Sequence, residues 1–486
     1  MKILFLIPFL FITTILSAQW VQEGIDIDGE AANDRSGFAI DMSDSLTIAI
    51  GAQSNDGSGN DAGHVRVYQW NGSSWLQKGG DIDGEAADDQ SGFSVAMPDS
   101  NTVGIGARLN DGGGINSGHV RVYSWNGSAW IQKGTDLDGE AADDQFGFSV
   151  HMPDSNTLAV GARQNDATAS DAGSARVYRW NGSAWVQKGF DLDGEAADDE
   201  FGFSVHMADS NTLAVGAYRN DGNGSNSGHV RVFRWDGTTW QQKGADIDGE
   251  AAQDQSGISV SMGDSNTVAI GAYANDGNGL NSGHARIYQW NGTSWVQKGN
   301  DIDGAAAQDQ AGYSVDMPSS DFIVVGSPNN AVNGPTTGHA RIFRWDGSSW
   351  VQKGNDINGE ATLDQSGYSV RMPDTSTVGV GAPNNSGFAQ YAGHARVYKY
   401  QLPTSLQSIE DEKVSNIKIY PNPANEAFFF KTCEAGDILR ISDMHGRIVY
   451  ETMISSEIRK IDVSNWPEGV YYLRYDKFTE IIVIGR

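Results

Sequence analysis

Residues 136–189 read DLDGEAADDQFGFSVHMPDSNTLAVGARQNDATASDAGSARVYRWNGSAWVQKG, and most of the chain consists of near-copies of this unit. Trp20, Trp75, Trp130, Trp185, Trp240, Trp295 and Trp350 each stand 55 residues after the last, so one supersecondary unit recurs without insertions. A period of this length signals a solenoid, a propeller or an array. In the second copy GFSVAM (Gly92 to Met97) and TVGIGA (Thr102 to Ala107) flank the turn cluster PDSN, which predicts strands A and B of a hairpin. HVRVYSW (His119 to Trp125) and AWIQKG (Ala129 to Gly134) flank Asn-Gly-Ser and predict strands C and D. Asn-Gly between alternating apolar runs signals a hairpin whose two central residues need positive φ. Four antiparallel strands per unit make a propeller blade, and no segment has a 3.6-residue period.

The strand count decides how the units are arranged. Strands A, B and C occur seven times, beginning near Gly37, Gly92, Gly147, Gly202, Gly257, Gly312 and Gly367. The last copy stops at Tyr400 without strand D, whereas Trp20-Val-Gln-Glu-Gly24 matches strand D and precedes every A, B and C. The N-terminal segment is therefore expected to pair beside residues 394–400 and close the ring without a bare edge. The predicted fold is all-β: a seven-bladed propeller closed by its N-terminal strand, then a small C-terminal β-sandwich.

Both ends of the chain differ in kind from the repeats. Residues 1–18 carry Lys2, the apolar run ILFLIPFLFITTIL and the small Ala18, the layout of a secretory signal peptide. No other stretch is long and apolar enough to predict a transmembrane segment. Cys433 is the only cysteine, so no intramolecular disulfide is available. Residues 401–486 hold 13 acids and 10 bases of the chain's 62 and 33, so the repeats carry most of the net charge of −29. That surface disfavours nucleic acid and anionic lipid as partners.

Phe146-Gly147-Phe-Ser-Val, Leu158-Ala-Val-Gly-Ala162, Gly173 and Arg176-Val-Tyr178 resemble the FG-GAP repeat of integrin α-subunit propellers, more closely its bacterial variety with a tryptophan in the final strand. The resemblance spans about residues 20–400 and departs from the family in detail. Only Phe146-Gly147 and Phe201-Gly202 keep Phe-Gly, and Gly-Ala-Pro survives only at Gly381 to Pro383. The family's calcium loops lie between strands A and B, where this chain has short turns such as MPDSNT, so those sites do not transfer. Ile417-Lys-Ile-Tyr-Pro-Asn-Pro-Ala424, Asp443-Met-His-Gly-Arg447 and Gly469-Val-Tyr-Tyr-Leu-Arg474 resemble the ordered motifs of the type A sorting domain of type IX secretion substrates. This implies a domain at residues 416–486 recognised by the outer-membrane export machinery, joined to the propeller (residues 19–400) by a linker at 401–415. It also implies a secreted protein, extracellular or attached to the outer-membrane surface of a Gram-negative bacterium.

Strand alternation places the D-to-A and B-to-C connections on one face and only tight turns on the other. The long-loop face is the expected interaction face, for a surface glycan or a protein ligand. Its D-to-A loops are acidic: Asp26, Asp28, Glu30 and Asp34; Asp81, Asp83, Glu85 and Asp89; Asp136, Asp138, Glu140 and Asp144; Asp191, Asp193, Glu195 and Asp199; Asp246, Asp248, Glu250 and Asp254. Oxygen donors at alternating positions around a glycine suit calcium. The other reading is that these carboxylates accept backbone N–H groups and shape the turn. Ala305 and Asn358 replace acids in the sixth and seventh loops, which would weaken any sites there.

Other recurrent residues have structural readings. Arg66 and its counterparts alternate with valine on strand C, and an ion pair with the Asp34-type residue is expected. The histidines at 64, 119, 229, 284, 339 and 394 lie one per blade, and His151 and His206 read as ordinary side chains. The B-to-C loops, such as 108–117, diverge most, as solvent-exposed segments do. Near-sevenfold uniformity weighs against catalysis, which needs different residues from different blades, and the common catalytic motifs are missing. The expected function is a secreted or cell-surface binding or adhesion module. The alternatives are an extracellular carbohydrate-active propeller enzyme and a purely structural surface protein.

Overall fold

The structure is a computed structural model that describes residues 18–401, 418–420, 427–431, 438–443, 447–453, 459–475 and 478–484. The signal peptide and the linker lie outside the described residues, Ala18 and Gln401 apart. All regular elements among the described residues are strands. No helix there is long and apolar enough to cross a membrane. The chain divides into two compact units, one of them spanning Ala18–Gln401.

That unit holds seven antiparallel sheets, each in the order A-B-C-D. Blade one has A at Ala39–Asp44, B at Thr47–Ala52, C at His64–Trp70 and D at Trp75–Gln77. A further pair, Ile82–Asp83, returns to strand C opposite Val65 and His64. Strand D is thus broken by Lys78-Gly-Gly-Asp81 and then resumes, so the acidic loop is shorter than the sequence implies. The hairpin turn differs too. In Asn71-Gly-Ser-Ser74 only Gly72 has positive φ, at 98°. The Asn71 side chain accepts the N–H groups of Ser73 and Ser74, each at 2.9 Å, which makes the connection a four-residue turn.

Closure follows the expected register. Gln19–Gln22 runs antiparallel to strand C of blade seven, Gln19 opposite Gln401 and Trp20 opposite Tyr400. Ile27–Asp28 then pairs with Ala395 and His394. The ring is also sealed by its tryptophans. Each strand-D indole N–H donates to a backbone carbonyl of the preceding blade: Trp130 to Lys78 at 2.7 Å, Trp185 to Lys133 at 2.8 Å, and so on to Trp350 on Lys298. Trp20 on Lys353 and Trp75 on Glu23, both at 2.8 Å, complete the circuit of seven. A polar tip on an apolar body lets one side chain bury area and satisfy a carbonyl at a blade junction.

The core sits between blades rather than inside them. One cluster joins Ile27, Ala395 and Val397 of blade seven to Ile40, Met42, Ile48, Ile50, Tyr68 and Trp75 of blade one. Small residues set the spacing: a Cβ on Gly161 of strand B would lie 1.9 Å from the carbonyl oxygen of Gly202 in the next blade. That close approach requires glycine at 161, while Gly202 has a φ of 89° and its own Cβ would meet Ser174 O at 2.2 Å.

The C-terminal unit has a three-stranded sheet of Lys418–Tyr420, Ala427–Lys431 and Arg459–Asp462, and a four-stranded sheet of Ile448–Met453, Ile438–Asp443, Gly469–Tyr475 and Phe478–Ile484. Leu439, Ile441, Tyr471, Leu473, Ile482 and Ile484 share a core with Ile461 and Val463, as a small sandwich requires.

Candidate functional site at the axial mouth

The D-to-A and B-to-C connections meet on one face, as expected: Gly84 N–H donates to Gly63 O at 2.7 Å and Asp88 N–H to Asn60 O at 2.8 Å. The four carboxylates of one acidic loop do not converge. The first aspartates (Asp26, Asp81, Asp136, Asp191 and Asp246) each accept a glutamine amide four residues earlier, at 2.6–2.7 Å. The second (Asp28, Asp83, Asp138, Asp193 and Asp248) sit in the resumed strand D, where burial raises their carboxyl pKa.

The glutamates Glu30, Glu85, Glu140, Glu195 and Glu250 pair with Arg66, Arg121, Arg176, Arg231 and Arg286 at 2.6–3.4 Å. The partner of Arg66 is therefore Glu30 and not Asp34, because Asp34 is buried beneath its own loop. There it accepts Ala31 N–H at 2.8 Å and Asn55 Nδ2 at 3.2 Å. Asp89, Asp144, Asp199 and Asp254 cap their loops in the same way.

The blades differ where they meet the axis. Each strand A begins with one large side chain at the mouth: Phe38, Phe93, Phe148, Phe203, Ile258, Tyr313 and Tyr368. Neighbouring rings touch at centroid distances of 4.7–4.9 Å, from Tyr313 through Tyr368 and Phe38 to Phe203, with Ile258 filling the gap. They line a cavity of about 220 Å³ on the long-loop side.

Around this ring the first residues of the B-to-C loops are unequal. Arg108 lies 4.4 Å over Phe93 and Arg163 lies 4.3 Å over Phe148. Tyr218 stacks 4.3 Å from Phe203, and Tyr273 lies 5.7 Å from Tyr313. Gln90 and Gln145 hold the two guanidinium groups at 2.8 and 2.9 Å. Glu200 is only 3% exposed and binds Arg163 at 3.2 Å and Arg219 at 2.8 Å. Burial raises its pKa against the pull of these arginines. Burial and the nearby Arg163 hold Arg108 down, to about 10.

One step deeper, the seven blades contribute Asp41, Ala96, His151, His206, Ser261, Asp316 and Arg371. Each acceptor in this layer takes a backbone N–H from the next blade: Met97 on Asp41 at 2.6 Å, Met207 on His151 and Met262 on His206 at 3.1 Å, Met317 on Ser261 at 3.0 Å, Met372 on Asp316 at 2.7 Å. Arg371 bridges Asp41 at 2.9 Å and Asp316 at 3.1 Å, and Ser261 donates to Asp316 at 3.0 Å. The imidazoles of His151 and His206 stack at 3.8 Å. Accepting an N–H at Nδ1 requires neutral rings, and burial holds both pKa values well below 6.5.

His151 and His206 are therefore not ordinary side chains as expected, since Ser261, Asp316 and Arg371 complete their layer. A signal existed in the sequence: this column changes in almost every copy while its neighbours stay aliphatic or methionine.

A model of the FG-GAP repeat matches residues 131–178, 190–233 and 241–288. A model of the secretion system C-terminal sorting domain matches residues 418–483. No curated protein sequence matches the chain. Among solved structures, the chain is similar to the β-propeller domain of Cps50 (Swd1) from Myceliophteria thermophila, at 7% identity and a TM-score of 0.44, covering 79% of this chain and 99% of that one. It is also similar to a putative 6-phosphogluconolactonase from Bacteroides uniformis, at 8% identity and a TM-score of 0.48, covering 86% and 100%. A third is the β-propeller domain of the trilobed protease of Pyrococcus furiosus, at 10% identity and a TM-score of 0.39, covering 75% and 91%. The sorting domain carries type IX secretion, to the outer-membrane surface or the extracellular space. The chain is an FG-GAP-repeat β-propeller protein that ends in a type IX secretion C-terminal sorting domain.

Proposed function

We propose that the propeller is a binding module, used in adhesion, whose axial mouth takes an extracellular glycan carrying carboxylate or sulfate groups. Residues 416–486 serve the export machinery and leave the propeller to meet the ligand. One observation carries this reading: in a chain of net charge −29, Arg108, Arg163 and Arg219 gather at one mouth beside a ring of aromatic side chains. Guanidinium groups lying on aromatic faces are pre-organised for planar anions, and the rings offer stacking surfaces to sugars. The surrounding negative field opposes anionic ligands everywhere else, so it directs them to this spot.

The carbohydrate-active alternative needs a free carboxyl pair. Asp41 and Asp316 each spend one oxygen on Arg371 and the other on a backbone N–H. Ser261 Oγ lies 3.4 Å from His206 Nε2, but it donates to Asp316 at 3.0 Å, and His206 Nδ1 is occupied by Met262 N–H and not by a carboxylate, which is not the order of a nucleophile relay. These contacts favour binding over hydrolysis.

The test is binding of the full-length protein to neutral, uronic and sulfated glycans. Arg108→Gln is the chosen variant because its polar partners at the mouth, Gln90 and Gln145, are uncharged. It should weaken acidic-glycan binding about tenfold, the loss of one charge-assisted contact. Equal binding of neutral glycans, or an unaffected variant, would refute the site. Release of shortened sugars would instead support the enzyme.

A further inference from the structure

The six strand-C histidines are buried, and the ring nitrogens of His64, His284, His339 and His394 have no hydrogen-bond partner. A buried imidazole without a partner is costly, so its surroundings call for an explanation. Around five of the six, two carboxylates converge: in four groups they come from two different segments, Glu30 and Asp81 on His64, Glu85 and Asp136 on His119, Glu195 and Asp246 on His229, and Glu250 and Asp301 on His284, and in the fifth Asp26 and Asp28 of one segment meet His394. In each group one nitrogen and two oxygens lie within 4.8 Å of one another. His64 Nδ1 is 4.0 Å from Asp81 Oδ2, and His229 Nδ1 is 3.8 Å from Asp246 Oδ2. These two are too long for a hydrogen bond, whereas His284 Nδ1 to Asp301 Oδ2 at 3.5 Å and His394 Nδ1 to Asp26 Oδ2 at 3.4 Å already stand at about the separation of two ligands of one first-row ion.

We infer that these groups are divalent transition-metal sites, of zinc class, each made of one imidazole and two carboxylates, four of them joining consecutive blades and the fifth lying within blade seven. The outer atoms of the ligands are already held. Gln77 Nε2 occupies Asp81 Oδ1 at 2.6 Å, leaving Oδ2 toward the imidazole. Arg121 holds Glu85 Oε1 at 3.3 Å, leaving Oε2 at 3.9 Å from His119 Nδ1. Ligands fixed from behind in this way are a recurring property of metal centres. A mixed nitrogen and oxygen set suits zinc better than calcium, which takes six or more oxygens.

The chain contains its own contrast. In blade three Ser174 replaces the histidine, and there Arg176 closes on both carboxylates, Glu140 at 2.6 Å and Asp191 at 3.0 Å. Where an imidazole is present the corresponding arginine keeps the glutamate, as Arg66 keeps Glu30 at 3.2 Å, but turns its other nitrogen to a backbone carbonyl, Asp28 O at 2.7 Å, and leaves the aspartate. In blade six Ala305 removes the glutamate beside His339. The ion therefore occupies, in five blades, the place a guanidinium takes in the third.

The full-length protein, stripped with a chelator, is dialysed against Zn²⁺ or Ca²⁺ alone and its metal content measured. About five Zn²⁺ should be retained, one for each of the five groups. His229→Asn should lower this by one, and Ser174→His should raise it by one. Matching melting curves of the chelated proteins show that the fold is intact, and the gain in Ser174→His stands even if the other variant folds poorly. Failure to retain Zn²⁺, a stoichiometry indifferent to both substitutions, or Ca²⁺ retained equally well would overturn the inference, the first leaving ordered water as the occupant.

Discussion

Trp20 closes the ring, and Trp20→Ala tests that closure directly. The side chain is 5% exposed, its indole N–H reaches Lys353 O at 2.8 Å, and its ring lies 5.2 Å from Tyr400. Burying a tryptophan removes roughly 200 Å² from water, worth about 5 kcal/mol at ~25 cal/mol per Å². The Lys353 carbonyl left behind costs about 1 kcal/mol more, while partial collapse of the site and exposure already lost in the unfolded chain reduce the sum. A net loss of about 3–5 kcal/mol follows. For a unit of this size one kcal/mol moves the melting temperature by about 1 °C, so a fall of about 3–5 °C is expected in differential scanning calorimetry.

Trp185→Ala supplies the comparison, because its indole makes the same bond to Lys133 at 2.8 Å in the middle of the chain. Both variants should melt early. Only Trp20→Ala should expose the edge of His394–Gln401, and so show limited proteolysis near its N-terminus and a tendency to associate. A Trp20→Ala protein with the native melting temperature and native protease resistance would refute the closure.

Two further outcomes are expected. Asp144→Ala should cost about 1–3 kcal/mol in denaturant unfolding, because Ala141 N–H and the Asn165 amide lose a buried acceptor; a native midpoint would return the loop carboxylate to a purely solvent-facing role. His151 and His206 are neutral when folded and bind protons near pH 6.5 when unfolded, so their contribution is full above that pH and lost as the pH falls below it. At about pH 5.5 this amounts to roughly 1 kcal/mol for each ring. The groups facing them are Arg371, Ser261 and Asp316, and a His151→Gln, His206→Gln protein should lose melting temperature less steeply between neutral pH and pH 5.5; an identical slope would show that these rings do not titrate on unfolding.

The period of the tryptophans, the alternation within each unit and the strand D displaced to the front by themselves determined a closed ring of seven blades. Those features are local or translational, and a sheet's two-residue period writes them directly along the chain. The long-loop face was legible for the same reason, since antiparallel strands must alternate their connections. What the sequence could not convey was which residues of different copies meet. Copies 55 residues apart become neighbours around an axis, so Asp41, Ala96, His151, His206, Ser261, Asp316 and Arg371 form one layer although no window of the sequence holds two of them. The regrouping of Glu30 and Asp81 around His64 has the same origin, because the interruption at Lys78-Gly-Gly-Asp81 directs one carboxylate of the loop back to its own blade while the glutamate reaches forward to the next. Repetition determined the scaffold; rotation about the axis decided the site.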